Sequence, residues 1–238
     1  MKIAILGDIH ANLEALTAVM EDASRQGVSQ YACTGDLVGY NANPHECVGI
    51  IRGLGCPVVM GNHDEEAVSS EPIVGMNESA RRAMEWTRGN LTRDDKQWLA
   101  GLPVVRQVRD FTLVHASLDS PKLWTYVLNR FDAIGSLACQ FTQVCFHGHT
   151  HSPVAYVKTQ GVVARESLAE PIRIESGRKY LINTGSVGQP RDRDPRAAYA
   201  LYDLERSEVT IRRIPYEYEF TAAKKRQGPG APGAGKAA

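Results

Sequence analysis

The chain has 238 residues, of which 43% are hydrophobic and 23% are charged, and its 27 basic and 27 acidic side chains balance. This composition excludes a disordered chain, a collagen-like fibre and a small disulfide-stapled domain, and the balanced charge gives no sign of a nucleic-acid partner. Five cysteines without a C-x-x-C pair, together with the absence of any long apolar run, predict a cytoplasmic protein with no membrane partner.

The first part of the chain predicts a parallel sheet whose strands alternate with helices. Three short apolar runs, at 3–6, 31–34 and 57–60, have the character of buried strands, and helical patterns at 11–26 and 44–51 separate them. Each strand ends in a glycine followed by a polar residue. Open α/β sheets place their sites at the carboxyl ends of strands, so we expect these polar residues to lie at a functional site.

The remainder of the chain predicts a helical segment followed by strands. Residues 76–100 are expected to be helical, with Trp86 and Trp98 as packing anchors. A helix near 132–140 interrupts the strand-like segments 104–108, 111–115, 144–147, 154–157, 179–183, 197–204 and 209–214. We predict one domain over residues 1–220. Residues 221–238 hold four basic side chains and no acidic one, and we expect a disordered, solvated tail rather than a nucleic-acid-binding arm.

Five of the seven histidines fall in compact polar clusters that have the composition of a metal site. The clusters contain seven oxygen and nitrogen donors: Asp8, His10, Asp36, Asn62, His115, His149 and His151. Such donors suit divalent Mn²⁺, Fe²⁺, Ni²⁺, Co²⁺ or Zn²⁺, and they are more numerous than the ligands of one tetrahedral zinc. Their number is consistent with two metal ions that share a carboxylate.

The spacing of these donors also suits ligation. On an extended strand end, Asp8 and His10 would point to the same side and bind one ion. Three glycines are expected to let the backbone turn tightly at the donors: Gly35, Gly61 and Gly148. Taken alone, Asp8 has the simpler interpretation of a helix N-cap, and His115 that of a hydrogen-bonded core histidine. The set as a whole favours ligation.

The order of the motifs resembles that of the calcineurin-like metallophosphoesterase family. The motifs are D-x-H from Asp8, G-D from Gly35, G-N-H-D from Gly61, a lone His115 after an apolar strand, and G-H-x-H from Gly148. The segment 183–191 is similar to one in compact prokaryotic phosphodiesterase-like members, and the resemblance covers roughly residues 1–216. It implies an α/β fold, a four-layer sandwich of two mixed β-sheets flanked by helices, with a metal pair at one edge.

The resemblance also implies a role for each motif residue. Two divalent metal ions are the implied cofactors, with Mn²⁺ favoured and Fe, Ni, Co or Zn as alternatives. The first ion would be held by Asp8, His10, Asp36 and His151, and Asp36 would bridge to a second ion held by Asn62, His115 and His149. His63 would face the leaving oxygen of the substrate as a general acid, and Asp64 would orient His63.

The implied activity is hydrolysis of a small phosphodiester by a hydroxide that two metal ions activate. The alternative within the family is a phosphomonoesterase, or a nucleotide or phosphoprotein phosphatase, because these enzymes share the same metal motifs. A non-catalytic scaffold is disfavoured because no motif position is missing. A nucleotide-binding regulator is disfavoured because neither G-x-G-x-x-G nor a P-loop follows the first strand.

Four further residues are candidates for substrate binding: Asn12, Tyr40, Asn41 and Arg191. Each has a structural alternative. Arg191 could bind a phosphate bidentately, or it could pair with Asp192 or Asp194. The other three lie just after metal motifs, and a helix cap or core packing explains them equally well.

Overall fold

The chain folds into two mixed β-sheets, and the computed structural model describes it over residues 1–229. The strands are β1 (Lys2–Leu6), β2 (Gln30–Cys33), β3 (Val105–Val108), β4 (Phe111–Val114), β5 (Val144–His147), β6 (Val154–Thr159), β7 (Val162–Glu166), β8 (Ile172–Arg173), β9 (Arg178–Asn183), β10 (Ala197–Asp203) and β11 (Glu208–Ile214). One sheet has the order β2-β1-β10-β11-β8, and the other has the order β3-β4-β5-β9-β6-β7.

Seven α-helices accompany the sheets within the described residues. They are α1 (Leu13–Arg25), α2 (Pro44–Gly53), α3 (Asn62–Val68), α4 (Glu78–Asn90), α5 (Arg93–Ala100), α6 (Asp132–Cys139) and α7 (Tyr218–Gln227). Local signals explain several boundaries: Pro44 opens α2, and the Thr92 hydroxyl caps α5 by accepting from the backbone N–H of Asp95. Over residues 1–229, no helix has both the length and the apolar character needed to cross a membrane.

The cores form layers because alternate residues of a strand point to opposite faces. In β1, Ile3 and Ile5 point into the space between the two sheets, whereas the neighbouring residues pack against helices on the outer face. Phe146 of one sheet meets Tyr202 of the other, with their ring centres 5.7 Å apart. Leu137 of α6 packs on the outer face of the second sheet. The predicted four-layer α/β sandwich is therefore confirmed.

Parallel pairing brings the loops of both sheets to one edge. β1 pairs in parallel with β2, and β4, β5 and β9 pair in parallel in the other sheet. Backbone hydrogen bonds join the loops that follow these strands: the N–H of Asp8 donates to Gly35, and the N–H of Gly148 donates to His115, at 3.0 and 2.9 Å. The polar residues after the strands are therefore brought together, as the sheet topology predicts.

The structure differs from the sequence-based prediction in several elements. Residues 57–60 form a single bridge with β2 instead of a strand, because the backbone N–H of Met60 turns away to bond with Pro103. Strands β7 and β8 were not expected. Most of 221–229, predicted to be disordered, belongs to α7 instead, and residues 230–238 of the predicted tail lie outside the described residues.

Candidate metal centre

The first set of donors gathers at the edge where the two sheets meet. Its four side chains offer ligand atoms that all lie within 4.8 Å of one another: Asp8, His10, Asp36 and His151. The Nε2 atoms of His10 and His151 are 3.0 Å apart, and the latter lies 3.3 Å from a carboxylate oxygen of Asp8. All four side chains are buried. The structure therefore brings together the residues predicted for the first ion.

A second set of donors shares Asp36 with the first. It consists of Asp36, His115 and His149, whose ligand atoms again lie within 4.8 Å of one another. The Oδ2 atom of Asp36 lies 3.5 Å from Nε2 of His10 and 3.3 Å from Nε2 of His115. The amide oxygen of Asn62 is 3.1 Å from the same nitrogen of His115. One carboxylate oxygen thus faces both sets, as a bridging ligand would.

The chemistry of the donors fits metal ions. The Nδ1 atoms of three imidazoles lie 2.6–3.0 Å from backbone carbonyl oxygens, those of His10 with Val38, His115 with Thr34 and His151 with Gln189. Since a carbonyl only accepts, each Nδ1 carries a proton, and the Nε2 atoms of His10 and His151 present lone pairs. Lone pairs and carboxylate oxygens therefore face one another at the first set. Such an arrangement is favourable when a cation lies among them.

Burial favours the neutral forms of His149, His151 and Asp8. Burial also opposes protonation of His115, but the Asp36 carboxylate outweighs it and raises the pKa of His115 to about 9. Burial lowers the pKa of His149 to about 4 and that of His151 to about 3, so both imidazoles are neutral, the form that binds metals. Burial raises the pKa of Asp8 to about 7. Burial also opposes ionisation of Asp36, but the neighbouring imidazoles of His115 and His63 more than offset it, and the pKa of Asp36 lies well below its usual value.

The backbone conformation at the donors differs from the expected extended one. Five of the donors have positive φ angles of 49–69°: Asp8, His10, Asp36, His149 and His151. The proposed reason for the pairing of Asp8 and His10, alternation along an extended strand end, was therefore wrong. Both residues turn in left-handed conformations that cost about 1–3 kcal/mol each and that are concentrated at functional sites. Backbone hydrogen bonds from both residues to the loop after β2 hold them there.

The three glycines do not share one role. Only Gly35 has a positive φ, of 93°, which glycine adopts without strain. At Gly61 and Gly148, a Cβ atom would lie only 2.2 Å from a carboxylate oxygen of Asp36 and of Asp8, respectively. These two glycines therefore leave room for the donor side chains, and they do not adopt a left-handed turn.

His63 lies beside the donors on the second residue of α3. Its ring centre is 4.8 Å from that of His10, and its backbone N–H donates to Asp36. Its Nδ1 atom is buried and has no hydrogen-bond partner within residues 1–229. Asn62 and His63 are the first two residues of α3. The His63 ring lines the cleft next to the donors.

Asp64 does not orient His63, which corrects the predicted role. Its carboxylate accepts hydrogen bonds from three backbone N–H groups, those of Leu37, Val38 and Gly61, at 2.8–3.3 Å. The bonds run to the loop that carries Asp36 and to the start of α3. Asp64 is therefore a buried side chain that stabilises this loop through hydrogen bonds.

Two of the four candidate substrate-binding residues have structural roles instead. Asn12 caps α1, since its side-chain oxygen accepts from the backbone N–H of Ala15 at 3.1 Å, and its amide donates to Gly188. The Asn41 amide donates to the carbonyl oxygen of His10 at 2.9 Å. Both side chains are buried and form hydrogen bonds with backbone groups, so neither is available to substrate.

Tyr40 and Arg191 do line the cleft. Arg191 donates to the Tyr40 hydroxyl and not to either neighbouring aspartate. Asp192 pairs with Arg213, and Asp194 pairs with Arg196. The structure therefore does not support the alternative that Arg191 pairs with Asp192 or Asp194.

A cleft of about 560 Å³ opens beside the donors, and sequence reasoning missed some of its surroundings. Tyr126 stacks on the His149 ring at 4.0 Å, and Trp124 meets His115 edge-on while donating to Glu65. Lys225 of α7 lines the cleft as well. The two aromatic residues lie in an irregular segment without a motif. The available signal was a pair of large aromatic side chains outside any predicted element.

Comparisons with known proteins agree with this geometry. The family model of the calcineurin-like phosphoesterase superfamily domain matches residues 1–207. An uncharacterized protein of Methanocaldococcus jannaschii is 34% identical over 219 residues, 90% of this chain and 88% of that protein. A metallophosphoesterase from Sphaerobacter thermophilus superposes with a TM-score of 0.86 at 38% identity, covering 98% of this chain and 95% of its own. A hypothetical protein from Pyrococcus horikoshii has the same fold, with a TM-score of 0.76 at 18% identity over 95% of this chain and 92% of that one.

Proposed function

The chain belongs to the calcineurin-like phosphoesterase superfamily, and from that premise we propose that it hydrolyses small phosphodiesters with two divalent metal ions. The observation that carries the proposal is the pair of donor sets that share Asp36 beside an open cleft. Two such ions would lower the pKa of a water molecule and neutralise charge on the phosphoryl oxygens. The carboxylate and amide oxygens suit Mn²⁺, which is the ion we propose, and the imidazole nitrogens also suit Fe²⁺, Ni²⁺ or Zn²⁺.

The residues of the chain divide the remaining tasks. His10, His115 and His151 present their Nε2 atoms because backbone carbonyls fix the opposite ring nitrogens. Asp64 braces the loop that carries Asp36. These supports hold the donors in place before substrate arrives, so little reorganisation accompanies the reaction.

His63 is the residue placed to supply a proton to the leaving oxygen. Its ring lines the cleft between the donors and Tyr40, and its Nδ1 atom has no partner in the part of the chain that the structure describes. Burial lowers the pKa of His63, and the Asp36 carboxylate acts in the opposite direction. A bound phosphate adds further negative charge beside the ring, which favours the protonated imidazole that a general acid requires.

The dimensions of the cleft support a diester. A volume of about 560 Å³ extends past His63 toward Tyr40 and Arg191, which gives space for an organic group beside a phosphate at the donors. The volume also suits a small molecule. All five cysteines are free thiols, which supports the proposal of a reducing, cytoplasmic location.

A panel of phosphoesters tests the proposed activity. Protein stripped with a chelator is supplied with Mn²⁺, Fe²⁺, Ni²⁺, Co²⁺ or Zn²⁺ in turn and assayed on diesters, monoesters, nucleotides and dinucleoside polyphosphates. We expect hydrolysis of diesters to return with metal and to be highest with Mn²⁺. A preference for monoesters would instead favour the phosphatase alternative.

A pair of variants serves as the internal control of this panel. Asp36→Asn removes the shared carboxylate, and we expect it to abolish the metal-dependent activity. Asp94→Asn removes an exposed carboxylate at the start of α5 and should leave activity unchanged. Hydrolysis that survives both chelation and Asp36→Asn would contradict the proposal.

A further inference from the structure

One part of the cleft lining comes from α7, at the other end of the chain from the first metal motif. The buried Thr221 hydroxyl donates to the Glu14 carboxylate at 3.0 Å, and Lys224 pairs with the same carboxylate. These contacts hold α7 against α1. They also place Lys225, the next residue, in the lining of the cleft.

Lys225 and Arg191 are two cations that face the cleft without an acidic partner in residues 1–229. The Lys225 ammonium and the Arg191 guanidinium carbon each lie 5.8 Å from the centre of the Tyr40 ring. Arg191 donates to two neutral side-chain oxygens, those of Tyr40 and Gln189, at 3.3 and 2.8 Å. Among the described residues, no aspartate or glutamate lines this cleft.

Nearby basic residues, unlike Lys225 and Arg191, form ion pairs. Lys224 pairs with Glu14, and Arg213 pairs with Asp192, so the neighbouring carboxylates bind other cations. Lys225 is half-buried, and burial lowers the pKa of its ammonium group. A cation that loses hydration without an opposite charge raises the free energy of the protein. A ligand that brings negative charge to this position removes that cost.

The Tyr40 ring connects these cations to the metal centre. Its ring centre lies 4.7 Å from that of His10 and 4.6 Å from that of His63. Both cations lie within cation–π distance of the same ring. The Tyr40 ring would therefore lie between a group bound by Arg191 and Lys225 and the donors. That separation suits two phosphates of one small molecule.

We propose that Arg191 and Lys225 form an anion subsite that receives a second phosphate group of the substrate while the scissile diester lies at the donors. The preferred substrate class is then a small phosphodiester that also carries a phosphomonoester group. The inference rests on the proposed phosphodiesterase function. Guanidinium and ammonium groups both bind phosphate through charge-assisted hydrogen bonds.

Two substrates that share the same scissile bond test the subsite. Thymidine 5′-(p-nitrophenyl phosphate) is compared with the same compound carrying a 3′-phosphate, and release of p-nitrophenolate is followed for both. We expect kcat/KM of the wild type to be about 10- to 100-fold higher for the 3′-phosphorylated compound, the range of charge-assisted hydrogen bonds. In Lys225→Met the ratio should fall toward one, and Arg191→Gln should lower it as well.

Arg226→Met is the matched control, because Arg226 is the next residue of α7 and is exposed. It should keep the wild-type ratio. Calorimetric titration with thymidine 3′,5′-bisphosphate gives a readout that needs no turnover, and Lys225→Met should weaken that binding. Equal rates of the wild type on both substrates, or an equal loss on both in Lys225→Met, would overturn the subsite while leaving the phosphodiesterase function intact. Failure to hydrolyse either compound, with bisphosphate binding still dependent on Lys225, would reject the function alone.

Discussion

Asp36 is the side chain on which both donor sets depend. Its Oδ2 atom faces His10 and His115, and its Oδ1 atom accepts the backbone N–H of His63. After reconstitution with Mn²⁺, metal analysis should approach two ions per chain. Asp36→Asn should lower the affinity of both sites, whereas His115→Ala should deplete one. Saturation of the wild type at a single ion would contradict the dinuclear arrangement.

The role of His63 can be separated from metal binding by the choice of leaving group. A positioned general acid contributes about 10²–10⁴-fold when the leaving oxygen needs a proton. His63→Gln should therefore lose kcat on that order with an alkyl leaving group of high pKa, and much less with p-nitrophenolate. Metal content is measured in parallel. An equal loss on both leaving groups, or a loss that follows missing metal, would assign His63 to positioning instead.

The sequence predicts the donors better than it predicts their geometry. The seven candidate ligands come together because motif order and strand ends determine where polar residues collect. The conformations of Asp8 and His10 were not predictable, because left-handed backbone is imposed by contacts with a loop distant in sequence. Lys225 was missed for a similar reason. Its neighbours in sequence are basic and polar, and only the docking of α7 brings it to the cleft.

The sequence did not indicate helix α7 or its contacts with α1. Truncation after Phe220 removes the hydrogen bonds of Thr221 and the ion pair of Lys224 with Glu14. With a loss of about 1–3 kcal/mol, the melting temperature should fall by several degrees, at about 2–4 °C for each kcal/mol. Truncation after Pro229 keeps α7 and is the matched control. Equal melting temperatures of the two truncated proteins would show that α7 adds no stability.

A hydrogen bond between α2 and α5 is a pH-dependent contact of the fold. His45 Nδ1 lies 2.7 Å from the Asp95 carboxylate, and this hydrogen bond raises the pKa of His45. While Asp95 is ionised, the raised pKa of His45 means that the pair stabilises the fold fully below about pH 6.5 and loses this effect as pH rises through the folded pKa of His45. His45→Gln should lower the free energy of unfolding by less than about 1 kcal/mol in mild acid and not in alkali, as measured by urea unfolding. The same loss at both pH values would indicate packing rather than charge.

At the scale of elements, predictions succeed where a pattern is local. The helical spacing before Gly27 and the apolar strands gave boundaries close to those observed for α1, β5 and β9. The segment 57–60 looks like a strand by composition, but it leaves β2 after a short contact. Strand β8 has only two residues, too few for any period to show. Tertiary contacts define these elements, and a single sequence does not contain them.

Across the whole molecule, the donor sets join the two sheets. Asp8 and Asp36 follow strands of the five-stranded sheet, whereas His115 and His149 follow strands of the six-stranded sheet. Metal ions that bind the native state alone add stability by mass action, about 2.7 kcal/mol at a free concentration 100 times the Kd. Mn²⁺ should then raise the melting temperature of chelator-treated protein by about 5–10 °C. The increase should be absent in Asp36→Asn, and an unchanged wild type would argue against ions that join the sheets.

The register of the five-stranded sheet has a consequence for the timing of synthesis. β1 lies between β2 and β10, with Lys2 opposite Asp203, so one edge of β1 stays unpaired during synthesis until β10 has been made. A ribosome adds about 5–20 residues each second, which leaves that edge unpaired for roughly 10–40 s. An open strand edge is a template for wrong pairing, so we expect the nascent chain to depend on chaperones during this interval. Unfinished chains lack the completed sheet that supports the loops carrying the donors. We therefore expect them to have no hydrolase activity until β10 and β11 have paired.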